Sequence, residues 1–231
     1  MSIPCPIYGK AIYTDCLDCE EKMCKVEYYK KVVIGIDQSY ANTGISIVAD
    51  GIIKKVTSID LSSLKSKSEK REKLRNTMNT ILTSLKNNKR IKDLDCITCI
   101  IERIRLHSKG FLNMDYIKGI GALNSVIIDV CYSYGIKVYS VDTRAWKAQI
   151  IGTSKPKANN YGVPEEKWPT VEFVINKGFE NSILIPVKSR KTKGTFVKNG
   201  EKYMYNNDAA DSLGIALFGF YGKEENLQEE T

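Results

Sequence analysis

The sequence predicts an α/β protein, a mixed five-stranded sheet flanked by helices, preceded by a small cysteine-rich segment. Short apolar runs bounded by Gly, Asn, Asp or Ser recur at 32–37, 44–48, 52–61, 96–101 and 136–141. Such runs read as buried strands. Between and after them lie stretches whose apolar residues recur at helical spacing, the mark of helices lying on a sheet. The first and fourth runs each end on a carboxylate, Asp37 and Glu102. An unpaired carboxylate is costly to bury, so its position implies a cation or another partner beside it.

The elements follow in order. Val32–Ile36 and Ile45–Val48 form a hairpin around Asp37 and Gly44, and an Asp50-Gly51 turn leads to a third strand, Ile52–Leu61. Ser68, followed by Glu69 and Glu72, opens a helix, with Leu74, Met78, Ile81, Leu82 and Leu85 as its apolar stripe. Cys96–Ile101 is a fourth strand; positions i and i+3 of a strand face opposite sides, so Cys96 and Cys99 are core residues and not a metal pair. Met114–Tyr134 is a long helix. Its interior Gly119 and Gly121 suggest close approach by another helix or by a nucleic-acid backbone, and Gly135 caps it. Ile136–Val141 is the fifth strand. Short helices are expected at 143–152 and 170–178, with a loop at 153–170 between them. Asn199-Gly200, between Thr195–Val197 and Tyr203–Tyr205, signals a hairpin, and 206–221 is the last helix. Asp208 and Asp211 lie on one face of its first turn, where the helix dipole favours anions.

The chain has 231 residues, 42% hydrophobic and 27% charged, ample for a globular core. Three regions are expected: a Cys-rich segment at 1–29, a main domain at 30–222 with a basic hairpin at about 188–205, and an acidic, mobile tail at 223–231. No run of 18 apolar residues exists, so no membrane partner is expected. The opening MSIPCPIYGK lacks the apolar core of a signal peptide. Seven cysteines, an odd number, argue against a fully paired disulfide framework, and a cytoplasmic location is expected. A single histidine, His107, excludes a His-rich metal centre and paired-His acid–base chemistry. A net charge of +8 fits a polyanionic partner, or simply a basic surface.

Cys5, Cys16, Cys19 and Cys24 have the spacing C-x10-C-x2-C-x4-C. A segment this short needs a staple, and a structural Zn2+ held by four thiolates is one. Reduced structural cysteines, an iron–sulfur site or a disulfide arrangement remain alternatives. Arg103, Arg105 and Lys109 directly follow Glu102, in position for phosphate contact or as a solvated basic loop. The hairpin, with Lys191 and Lys193 among its basic residues and Phe196, Tyr203 and Tyr205 interleaved, reads as a nucleic-acid arm or as a surface made soluble by lysine.

Asp37, Glu102, Asp208 and Asp211 are thus the candidate catalytic acids. Four acids packed together repel unless cations intervene, and oxygen ligands suit two Mg2+ or Mn2+ ions. A three-stranded meander, then helix, strand, helix, strand and helices is the ribonuclease H-like order, in which the first and fourth strands are neighbours.

The blocks GIDQSYANTGISI (35–47), IIER (100–103), TRAWKAQIIGTSKPK (143–157) and DAADSLGIAL (208–217) resemble the RuvC-type Holliday junction resolvases, especially phage-type members. The resemblance spans residues 32 to 221. It implies Asp37, Glu102, Asp208 and Asp211 as metal-binding acids, with Lys147 catalytic. It also implies a homodimer that nicks opposed strands of branched DNA, in a host-cell cytoplasm if the chain is phage-encoded. Lys147 and Lys155 or Lys157 fall where the family carries catalytic or DNA-binding lysines, and Arg144, on the same short helix as Lys147, is a further candidate for nucleic-acid contact. Three features depart from the bacterial pattern: Arg105 replaces an aromatic wedge, and the Cys cluster and the basic hairpin are additions. A broader flap, fork or branched-DNA nuclease and a non-catalytic nucleic-acid module are the alternatives. An actin-like ATPase or sugar kinase would need a duplicated domain that 231 residues do not hold.

Overall fold

The structure, a computed structural model, describes residues 27–104, 114–153, 155–187 and 194–230. The four cysteines of the N-terminal segment lie outside the described residues, as do Arg105, His107, Lys109, Lys188, Arg190, Lys191 and Lys193.

Six strands form the main sheet: β1 (Val32–Asp37), β2 (Asn42–Ala49), β3 (Ile52–Asp60), β4 (Ile97–Glu102), β5 (Lys137–Val141) and β9 (Leu227–Glu229), in the order β3-β2-β1-β4-β5-β9. β1 runs antiparallel to β2 and parallel to β4, so it lies at the centre. Every residue of β1 is buried, which is why it reads as an unbroken apolar run. Alternate residues supply two cores. Ile34 and Ile36 join Leu74, Met78 and Leu82 of α1 (Lys67–Lys86) and Leu123, Ile127 and Val130 of α2 (Met114–Ser133) on one face. Val33, Val48 and Ile100 face the other side. There they meet α3 (Thr143–Trp146), α4 (Trp168–Asn176) and α5 (Asn207–Tyr221) through Trp146, Val171, Leu213 and Ala216.

The helices depart from expectation in instructive ways. Ser66, two residues before the predicted cap, opens α1 through a reciprocal capping box with Glu69. α3 continues into a single π turn, Lys147–Ile151, which Gly152 ends at φ 81°. On α2, Gly119 makes room for the ring of Tyr40, while among the described residues nothing lies within 4 Å of where a Gly121 Cβ would stand. Tyr40 also receives the ammonium of the buried Lys70, 4.4 Å from its ring centre, so one side chain wedges α1 and α2 beside the loop after Asp37.

Three short strands, β6 (Leu184–Pro186), β7 (Phe196–Lys198) and β8 (Glu201–Tyr205), make a second sheet in the order β6-β8-β7. Asn199 and Gly200, at φ 52° and 81°, form the hairpin turn. The aromatic residues do not line an open arm. Phe196 and Tyr205 stack at 4.7 Å and pack with Tyr161 and Trp168 against the core. β8 passes into α5 through one residue, Asn206, which caps the helix and bonds Ser58 on β3.

The expected mobile tail is instead structured. Leu227–Glu229 pairs with β5, Leu227 packs on the core and Lys137 lies 3.5 Å from Glu229. The sheet therefore gains a sixth strand that covers the β5 edge. Among the described residues, no helix is long and apolar enough to cross a membrane.

Candidate active site

The site is built where β1, β4 and α5 meet. The parallel register of β1 and β4 ends at Ile36 opposite Ile101, which sets Asp37 and Glu102 at adjacent strand ends. Asp37 itself pairs with Gly44 on β2. Gly35 and Gly44 then admit α5 onto the sheet backbone to backbone. A Cβ on Gly44 would stand 1.9 Å from the Asp208 carbonyl oxygen, and one on Gly35 would stand 2.4 Å from that of Ser212. No side chain fits in that space, so the first turn of α5 lies directly beside the end of β1.

Electrostatics report the convergence of the four acids. The Asp37 carboxyl is held well above the usual aspartate range by burial first, then by the carboxylates of Asp211 and Glu102; Lys167 offsets part of this and Asp208 adds to it. Burial likewise pushes Asp208 up to about 6, with Lys167 opposing and Asp211 reinforcing the rise. Asp211 is 3% exposed, and among the described residues its Oδ1 has no hydrogen-bond partner.

Two lysines reach Asp211. Lys167 Nζ lies 2.5 Å from Oδ2, and Lys147 Nζ lies 3.8 Å from Oδ1. Burial works against the Lys167 charge, yet Asp211, Asp37 and Glu102 outweigh it and hold the ammonium above the ordinary lysine value. Lys167 was not expected from the sequence. It sits in the 153–170 stretch that reads as loop, and only the placement of α4 brings it to the acids. Its one local mark is its position just before the Trp168-Pro169 opening of that helix.

Glu102 is held twice. The indole Nε1–H of Trp146 donates to its Oε1 at 3.0 Å. Its backbone N–H donates to Gln38 Oε1 at 3.3 Å, while Gln38 Nε2 donates back to its carbonyl. Neither Trp146 nor Gln38 stood out in the sequence, although each adjoins a candidate residue. Of the expected basic residues, Arg103 is half-buried against Ser140, and Arg144 and Lys155 are exposed. Lys157 is bound to Glu172 at 2.6 Å.

Among the described residues, no three His, Cys, Asp or Glu side chains are gathered tightly enough to hold a metal ion as they stand. The Lys167 ammonium occupies the Asp211 carboxylate, and the Trp146 indole takes an oxygen of Glu102. The donor chemistry nonetheless fits a hard cation: four carboxylates, one with a buried oxygen that accepts no hydrogen bond among the described residues, arranged around a positive charge.

No family model matches the chain, and no curated protein matches it. Solved structures do. Thermus thermophilus RuvC in complex with a Holliday junction substrate overlays with a TM-score of 0.52 at 14% identity, covering 87% of this chain and 99% of that one. Another Thermus thermophilus RuvC structure overlays at 0.50 and 16% identity, covering 86% and 99%. The yeast mitochondrial Holliday junction resolvase Ydc2 overlays at 0.42 and 14% identity, covering 85% and 83%. The six-stranded mixed sheet with helices on both faces has the ribonuclease H-like fold of RuvC.

Proposed function

We propose that this chain is a divalent-cation-dependent, structure-selective DNA endonuclease that resolves four-way (Holliday) junctions, as a RuvC-type enzyme resembling phage members. The observation that supports this reading is geometric: Asp37 and Glu102 end adjacent parallel strands, and Gly44 admits the first turn of α5, which carries Asp208 and Asp211, against the same end of the sheet.

Asp37, Glu102, Asp208 and Asp211 would hold Mg2+ or Mn2+. Bound there, such ions make water a stronger nucleophile at neutral pH and take up charge on the departing oxygen. The hydrolysis forms a bond from water oxygen to phosphorus and breaks the bond from phosphorus to the 3′ oxygen, leaving a 5′-phosphate and a 3′-hydroxyl. The buried strand ends keep the carboxylates fixed, so little reorganisation accompanies reaction. Lys147 and Lys167 bring positive charge to the same spot and would attract the scissile phosphate. Arg103, Arg144 and Lys155 would contact neighbouring phosphates. Lys157 would do so only on leaving Glu172. Two symmetric nicks require two such sites, hence a homodimer. Zn2+ on Cys5, Cys16, Cys19 and Cys24 would be structural.

The test is cleavage of junction, flap, fork and linear duplex DNA with each divalent cation. Paired nicks confined to the four-way junction are expected. Equal cutting of flaps and forks would instead identify a broader branched-DNA nuclease, the alternative that the added Cys cluster and basic hairpin suggest. No cutting with any cation would remove the enzyme reading.

A further inference from the structure

We infer that Trp146 is a positioning residue for Glu102, fixing one carboxylate oxygen so that the acid is presented to a divalent cation in one orientation. The inference rests on the nuclease reading only for its catalytic consequence. Trp146 is fully buried, and an indole has a single N–H donor. That donor is spent on Glu102 Oε1, at 3.0 Å, and not on a main-chain carbonyl. The main chain of Glu102 is separately fixed by the side-chain amide of Gln38, which is itself buried. Glu102 thus has both its backbone and its carboxylate held, a degree of constraint that a merely space-filling glutamate does not need.

The indole is held in turn. α5 passes so close that a Cβ on Gly214 would lie 2.3 Å from Trp146 Cζ3. Lys147 lies 5.2 Å above the ring and reaches Asp211 at 3.8 Å. Trp146 therefore touches the strand that carries one acid and the helix that carries two others. Partners of this kind, set behind a ligating side chain, typically matter about ten- to a hundredfold in metal affinity or activity.

A purely structural tryptophan would bond Glu102 only to satisfy its own buried N–H. The two roles separate in Trp146→Phe of the full chain, which keeps the aromatic bulk and loses the donor. Calorimetric titration with Mn2+ is expected to show affinity about ten- to a hundredfold weaker than in the unmodified protein, with kcat on junction DNA reduced and KM unchanged. Equal Mn2+ affinity in the two proteins would overturn the inference. If Trp146→Phe fails to fold, Trp168→Phe leaves Trp146 as the sole tryptophan. Its emission is expected to change on adding Mg2+, and not to change once Glu102→Gln is added. Emission indifferent to Mg2+ would overturn the inference. An unmodified protein that binds cations but cuts no DNA would remove the nuclease reading alone, and the affinity ratio would still decide the role of Trp146.

Discussion

Burial and three neighbouring carboxylates together hold the Asp37 carboxyl well above the usual aspartate range. Buried beside three other carboxylates, it is relieved in part by the ammonium of Lys167. Asp37→Asn removes the repulsion and keeps the shape, so this variant is expected to bind junction DNA and not to cut it, as gel-shift and cleavage assays would show. Stability without metal should also depend on pH with a defined sign. The carboxyl of Asp208 rises from 3.8 to about 6 on folding, and that of Asp37 rises well above 3.8. The folded protein then binds more protons than the unfolded chain, and stability falls as pH rises from about 4 through 6. The effect of Asp208 is on the order of 3 kcal/mol. Thermal melts between pH 4.5 and 7.5 should show this decline, Mg2+ should flatten it, and Asp37→Asn should reduce it.

At the scale of elements, α5 depends on Gly44. Overpacking of a close contact costs about 1–3 kcal/mol, and more where backbone opposes it. Gly44→Ala, aimed at the Asp208 carbonyl, is expected to lower the melting temperature and to abolish cleavage together. Elements such as this one were legible because their signals are local. β1 and β4 are apolar runs ended by acids, and the first turn of α5 carries Asp208 and Asp211 on one face. Lys167 was not legible, because a lysine in a lysine-rich loop looks like any other until α4 docks. β9 was not legible either: Leu-Gln-Glu is too short and polar to signal a strand, and its order comes from β5 and from the Tyr132 hydroxyl donating to the Glu230 carbonyl. Phe196 and Tyr205 of the hairpin are spaced as a stacking platform would be, yet Tyr161 and Trp168 pack against them from an earlier part of the chain.

The whole molecule carries a net charge of +8 around a cluster of acids. Binding to junction DNA should therefore weaken steeply and log-linearly with salt through counterion release. Affinities measured at 50 and 200 mM salt would check this, and a flat response would separate binding from phosphate contact. The two cores divide labour across the sheet: the α1–α2 face holds the strands, and the α5 face delivers the acids. The passage from β8 into α5 has no slack. Asn206 alone spans it, tied to Ser58 on one side and to the Ile183 carbonyl on the other. Adding a single residue there would turn the helix by about 100°, swinging Asp208 and Asp211 off the strand ends. The phasing of this one joint thus matters to the proposed site as much as the carboxylates do, and length variation here should be far less tolerated than substitution.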